Sequence, residues 1–140
     1  MKIIKATTQK HFFDLRQVRV EVFVIGQDVP IEIELDHYDR YAIHLVAYEG
    51  DDILGTVRLV KTKKGGKIGR MAVLNKYQGL RVGRQLMDAI EQVAKAEDLS
   101  MIYLSSQYQV EAFYKKCGFE SIGNYYYEAN IKHVYMEKQL

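Results

Sequence analysis

The segment Gln78-Gly79-Leu80-Arg81-Val82-Gly83-Arg84 sets glycines and arginines between an apolar run, Met71-Ala72-Val73-Leu74, and a helical pattern that opens at Val82. A turn that feeds a helix start leaves several backbone N–H groups without partners, and the helix dipole adds partial positive charge beside them. Phosphate oxygens suit that place. Gly83 is informative, because glycine in a first helical turn costs about 1 kcal/mol against alanine and packs against nothing. Removing a side chain so that a ligand can approach the backbone would account for it. Arg81, Arg84 and Lys76 add charge where an anionic ligand would lie. A plain loop whose glycines serve only the turn is the competing reading. Other nucleotide motifs fail: there is no Gly-x4-Gly-Lys-Ser/Thr, and the turn follows a meander instead of opening a dinucleotide-binding unit.

Other reactive residue types give weaker signals. Cys117 is the single cysteine, which rules out an internal disulfide, and its place just before Gly118 suits a small buried filler better than a nucleophile. The four histidines lack close metal-ligand spacing, so no metal is expected. Lys61, Lys63, Lys64 and Lys67 flank a Gly-Gly hairpin without interleaved aromatics and read as a solvated turn, not a nucleic-acid patch. Lys plus Arg number 20 against 18 Asp plus Glu, so net charge argues for neither nucleic acid nor anionic membrane. With 140 residues, 48% of them hydrophobic and 27% charged, the chain is expected to form one domain, 1–140. No apolar run is long enough to cross a membrane and no signal-like segment is seen, so a cytoplasmic location is expected.

The elements that must position these residues follow from periodicity. Lys2 to Ala6 reads as a strand, and Thr7 or Thr8 caps a helix carrying Phe12, Leu15, Val18 and Val22. Gly26 to Tyr41 alternates Ile31, Ile33 and Leu35 with Glu32, Glu34 and Asp36, which fits strand or irregular loop. Ile43–Glu49 and Ile53–Thr62, separated by Gly50-Asp51-Asp52, predict a hairpin, and Lys63 to Gly66 turns into a third strand, Lys67–Leu74. From Val82 a helix lines up Val82, Leu86, Ile90 and Val93. Ser100–Ser105 follows as a strand in parallel pairing, then a helix from Val110 to Lys116 that Gly118 stops. Phe119 to Tyr127 and Ile131 to Lys138 close as two antiparallel strands. The expected class is α+β: a mixed, mainly antiparallel sheet of six to seven strands with helices on both faces.

This order, with the glycine turn at its centre, resembles the GNAT superfamily of N-acetyltransferases over essentially the whole chain. Arg70-Met71-Ala72-Val73 is similar to the family's central strand, Gln78 to Gly83 to its Gln/Arg-x-x-Gly-x-Gly/Ala turn, and Phe113-Tyr114-Lys115-Lys116-Cys117-Gly118-Phe119 to its closing signature. Arg19, Val22-Phe23-Val24, Gln27, Glu34-x-Asp36, Asp39, His44, Gln107 and His133 are similar to a branch of small uncharacterised bacterial members. Two positions depart from the family: Arg81 stands where the turn has its first glycine, and Gln107 where many members carry asparagine.

The resemblance implies an N-acetyltransferase that uses acetyl-CoA, or another short acyl-CoA, and acts on a primary amine of a small molecule or peptide by direct transfer. It implies donor contacts from Met71, Ala72, Val73, Gln78, Gly79, Leu80, Arg81, Val82, Gly83, Arg84, Gln107 and Tyr114, the pantetheine arm pairing along the central strand. Tyr114 would be the general acid for the leaving thiolate, with a packed core aromatic as the alternative, and the Val73 N–H the oxyanion donor. The base stays open among Glu34, Asp36, His37, His44 and His133, each of which also has a purely structural reading. Glu32, Glu34, Asp36 and Asp39 form an acidic run that could attract a cationic acceptor. A protein that binds acyl-CoA without catalysis, as a sensor or interaction module, is the alternative function.

Overall fold

In the computed structural model, which describes residues Met1–Leu140, strand β1 (Lys2–Lys5) leads into helix α1 (Gln9–Arg19). Thr8, not Thr7, is the cap: its Oγ1 accepts from the His11 N–H at 3.1 Å while His11 Nδ1 accepts from the Thr8 N–H at 3.3 Å. The helix continues as a π-helical segment, Val20–Ile25, closed by Gly26 N–H donating to Glu21 O at 2.9 Å.

Next comes the region that alternation left between strand and loop, and it is loop interrupted by two short helical turns. It forms a short helix, α2 (Ile31–Glu34), and a 3-10 turn, His37–Arg40. The apolar members of the pattern face outwards, with Ile31 43%, Ile33 53% and Leu35 43% exposed, whereas Glu34 is buried at 2%. Arginine partners drawn from distant elements cause this inversion, as described below.

Strands β2 (Ile43–Glu49), β3 (Asp52–Lys61) and β4 (Gly66–Val73) form the expected meander. Helix α3 (Val82–Ala96) crosses to β5 (Met101–Gln107), which pairs parallel with β4 as expected. A 3-10 turn and helix α4 (Glu111–Lys116) follow, and Gly118 ends α4 at φ 96°. The closing segment makes three strands, not two, because a bend at Gly123 (φ 85°) divides it into β6 (Glu120–Ser121) and β7 (Tyr126–Glu128). Both pair with β8 (Ile131–Gln139), which raises the sheet from the expected six or seven strands to eight. The order is β1-β2-β3-β4-β5-β8-β6, with β7 also on β8, and only β4·β5 is parallel.

Helices cover both faces. Val57, Leu59, Ile68, Ile102, Leu104, Val134 and Met136 pack with Val82, Leu86 and Ile90 of α3, and Leu15 of α1 packs with Ala6 and Val46 on the other face. Strand alternation therefore puts Arg58, Lys67, Ser105, Gln107 and His133 on the α1 face.

Candidate functional site

The site begins where β4 and β5 part. Their register holds only Gly66↔Ile102 and Lys67↔Tyr103, so the rest of β4 keeps β3 on one side and has no strand on the other. A bulge opens the gap: Gly69 pairs with Arg58 and Ala72 with Thr56, and between them Arg70 takes φ 51°. The Leu74 N–H donates to Leu54 O on β3 at 3.0 Å. Alternation then turns the Val73 N–H and C=O into the gap, where Gln78 Nε2 reaches the Val73 carbonyl at 3.4 Å. The gap is the floor of a cleft of about 880 Å³. A more open hollow of about 1040 Å³ runs along α1, but its lining comes only from residues between Thr7 and Ile25 and brings no distant elements together.

At one end of the cleft lies the start of α3. The first bond of this helix is Gln85 N–H to Arg81 O, and the backbone N–H groups of Gly79, Leu80, Arg81, Val82, Gly83 and Arg84 make none within the protein. Gly79 (φ 84°) and Arg81 (φ 63°) both sit in the left-handed region, which fans these groups outwards. Arg81 thus reproduces the glycine backbone of the family turn, at a cost of about 1–2 kcal/mol for a residue with a Cβ. Gly83 lacks an internal reason to be glycine: a Cβ there would meet Phe113 at 3.5 Å and 3.8 Å and Val73 at 3.9 Å, which are ordinary contacts. Arg84 is tied down, with Nε on Asp88 at 3.3 Å and Nη1 on Lys116 O at 3.2 Å.

Tyr114 enters from α4. Its ring is 8% exposed and packs edge-on against Phe113 (5.1 Å) and Phe119 (6.0 Å). Burial, with a smaller contribution from Cys117, pushes the phenol well above its ordinary pKa, and no hydrogen bond from the protein acts on it. The hydroxyl is therefore a protonated, uncommitted donor at the cleft wall.

On the α1 face three members of the acidic run, Glu34, Asp36 and Asp39, are paired with arginines, while Glu32 is exposed and makes no ion pair. Arg19, 1% exposed, pairs with Glu34 at 2.9 Å and Asp39 at 2.9 Å. Arg58 reaches Asp36 at 2.8 Å and Asp39 at 2.9 Å. Arg70 lies 2.8 Å from Glu34 Oε2 and 3.0 Å from Asp36, and also clasps the carbonyls of Ile33 and Glu34. The 2.8 Å contact lacks hydrogen-bond geometry, so Glu34 Oε2 is an ion-pair partner without a formal bond. Burial opposes ionisation of Asp36 and Asp39, yet their arginine partners outweigh it and hold both carboxyls below the ordinary range. An open acidic surface for attracting cations, as the sequence suggested, is therefore not what this run forms.

The histidines separate by position. His44 is 2% exposed, donates through Nε2 to Asp39 O (3.1 Å), and lies outside the cleft lining; burial lowers its pKa. His37 is exposed and stacks on Tyr38 at 4.1 Å, also away from the cleft. His133 lines the cleft with its ring at 18° to Tyr126 and 6.1 Å from it. Its Nδ1 sits 2.6 Å from Ile131 O, and since a carbonyl only accepts, Nδ1 donates; in the neutral tautomer that fits this bond, Nε2 is the acceptor.

Met71, Ala72, Val73, Gln78, Gly79, Arg81, Val82, Gly83, Arg84, Gln107, Tyr114, Glu34, Asp36 and His133 all line this one cleft, whereas Leu80 is 63% exposed and does not line it. Gln107 is engaged with Gln27, its Nε2 donating to Gln27 Oε1 at 2.8 Å, and with Gln109 at 2.7 Å. Sequence reasoning missed Arg58, Arg70, Ser105 and Glu128 as cleft residues. Arg58 had a readable signal: it is a lone charge inside the apolar strand Val57-Arg58-Leu59. Arg70 had none, because a left-handed residue within a strand leaves no local pattern.

A sheet split beside a helix start rich in free amides, with a phenol on the adjoining wall, is the arrangement of an acyl-CoA-dependent acyltransferase. An acyl-CoA N-acyltransferase from Pseudomonas aeruginosa is similar in fold, with a TM-score of 0.88 and 30% identity over 99% of both chains. Residues 14–140 match the acetyltransferase (GNAT) domain family. The Bacillus subtilis protein YjcF, described as an uncharacterised N-acetyltransferase, is 34% identical across 99% of each chain. A Bacillus subtilis acetyltransferase solved in complex with CoA has the same fold, at a TM-score of 0.74 and 22% identity over 99% of this chain and 98% of its own. The chain belongs to the GNAT acetyltransferase family and is an acetyltransferase.

Proposed function

We propose that the protein transfers the acetyl group of acetyl-CoA directly to a primary amine, both substrates being held in the cleft at once. The observation that carries this reading is the run of partnerless amides from Gly79 to Arg84 at the start of α3. Burying such groups without partners is costly, and diphosphate oxygens satisfy them together with the helix dipole. The CoA complex of the structural relative supports the choice of anion. Bound acetyl-CoA supplies an activated thioester carbon.

The chain's own groups do the rest. The free edge of β4 at Met71 and Val73 aligns the pantetheine arm through backbone bonds. His133 Nε2 takes the ammonium proton, which leaves a neutral nucleophile. Val73 N–H donates to the thioester oxygen as it gains charge. Tyr114 donates to the departing sulfur. The amine nitrogen bonds to the acyl carbon as the carbon–sulfur bond breaks.

Titration calorimetry with CoA, followed by thiol release from acetyl-CoA over a panel of amines, tests the reading. One binding site and acceptor-dependent thiol release are expected. CoA at a hundred times its Kd should stabilise the fold by about 2.7 kcal/mol and raise Tm by several degrees. The absence of both binding heat and a Tm shift would sink the proposal.

Gly83→Ala separates ligand from fold. The change gains about 1 kcal/mol of helix propensity in the free protein and meets no clash. Yet it puts a methyl where the diphosphate approaches the backbone. The expected outcome is a slightly higher Tm without ligand and a Kd for CoA weaker by about tenfold. Unchanged affinity would show that the glycine serves only the turn.

A further inference from the structure

The charges left free in the cleft, taken with the transfer reading above, identify the class of acceptor. Glu34, Asp36 and Asp39 are matched by Arg19, Arg58 and Arg70, so this group brings no net charge. Arg81 and Arg84 belong to the anion-binding turn. What remains is of both signs. On β4, Lys67 is exposed, lines the cleft and makes no ion pair or hydrogen bond. Three positions on, Arg70 uses only Nε and Nη2 on its protein partners, which leaves both N–H groups of Nη1 free. Glu128 at the end of β7 lines the cleft without an ion pair and accepts a bond from Ser105 Oγ at 3.5 Å. The hairpin register sets Glu128↔Ile131 beside Tyr126↔His133, so this carboxylate and the His133 ring share one corner.

We propose that the acceptor is a small amino-carboxylate, an amino acid, whose carboxylate is held by Lys67 and Arg70 Nη1 and whose ammonium sits between Glu128 and His133 Nε2. A cation-only amine such as a polyamine would place a second positive group against Lys67 and Arg70. An amino-carboxylate meets opposite charge at both ends, and the guanidinium suits a carboxylate geometrically. Its ammonium then lies where the base can accept the proton.

The test compares matched acceptors under saturating acetyl-CoA: phenylalanine with phenethylamine, and lysine with cadaverine. The carboxylated member of each pair is expected to have a kcat/KM at least about tenfold higher. Lys67→Gln, a change at an exposed and unpaired side chain, should raise KM for phenylalanine about tenfold while leaving KM for phenethylamine and Kd for CoA unchanged. Glu128→Gln should raise KM for both. Equal or better turnover of the decarboxylated amines, or an equal effect of Lys67→Gln on both members, overturns the assignment. Thiol release with no amine at all, while CoA still binds, overturns the transfer reading itself and this assignment with it.

Discussion

Replacing Tyr114 by phenylalanine is expected to lower kcat by about 10²- to 10³-fold and to leave the Kd for CoA within about twofold. The substitution removes one atom. The ring contacts with Phe113 and Phe119 survive, and the hydroxyl has no protein partner to orphan, so stability should hardly change. What disappears is the only uncommitted phenol donor on the α4 wall of the cleft. Its chemistry is bounded by its environment. An ordinary phenol near pKa 10 is already about 2 kcal/mol uphill as a proton donor to a thiolate of parent pKa about 8.5, and burial raises the phenol further. Under the proposed mechanism Tyr114 would therefore act through a hydrogen bond that strengthens as the sulfur gains charge, and not by early proton transfer. Poor leaving groups should suffer most, so the loss should shrink for an acetyl donor with a more acidic thiol. A binding module without catalysis predicts a different result, no acceptor-dependent thiol release from either protein. An undiminished kcat in Tyr114→Phe would show that water or another group protonates the thiolate.

Local patterns made much of this architecture legible. The period of the Val82 helix, the glycine stop at Gly118 and the Gly50 and Gly65 turns each depend on residues within a few positions, and each element stands where it was expected. The parallel β4·β5 pairing followed from having a helix between two strands. Illegible features depend on partners far apart in sequence. Whether Ile31-Glu32-Ile33-Glu34 becomes strand or helix is decided by Arg19 and Arg70, which lie 15 and 36 positions from Glu34 and draw its carboxylate and carbonyl inwards. No periodicity reports such pairs. The division of the closing segment into β6 and β7 likewise reflects how β8 offers its edge to both. In the cleft, the glycine turn before α3 was readable because it is contiguous. The proposed choice among base candidates rests on ion pairing and hydrogen bonding, which only the folded chain supplies.

That choice leads to the second large effect. His133→Gln is expected to reduce kcat/KM near neutral pH by about 10²-fold, equivalent to about 2.7 kcal/mol of barrier, and to reshape the pH profile. Four of the five base candidates are disqualified by their surroundings: Glu34 and Asp36 face guanidinium groups, His44 is closed over by Asp39, and His37 stands outside the cleft. His133 is the candidate that lines the cleft free of an ion pair, its ring anchored through Nδ1 on the carbonyl of Ile131, and the proposed mechanism assigns it the base. Glutamine can keep that anchoring bond through its amide N–H but cannot accept a proton, so the change removes basicity with little disturbance of the fold. In the variant the rate should climb with pH in step with the free-amine fraction of the acceptor. The gap between the two proteins should therefore close as the pH passes the acceptor's own pKa, because solvent has by then done the work of the base. A purely structural histidine makes a different forecast: loss by the same factor at every pH. Parallel pH profiles would remove His133 from the mechanism and return the proton to a water held elsewhere in the cleft.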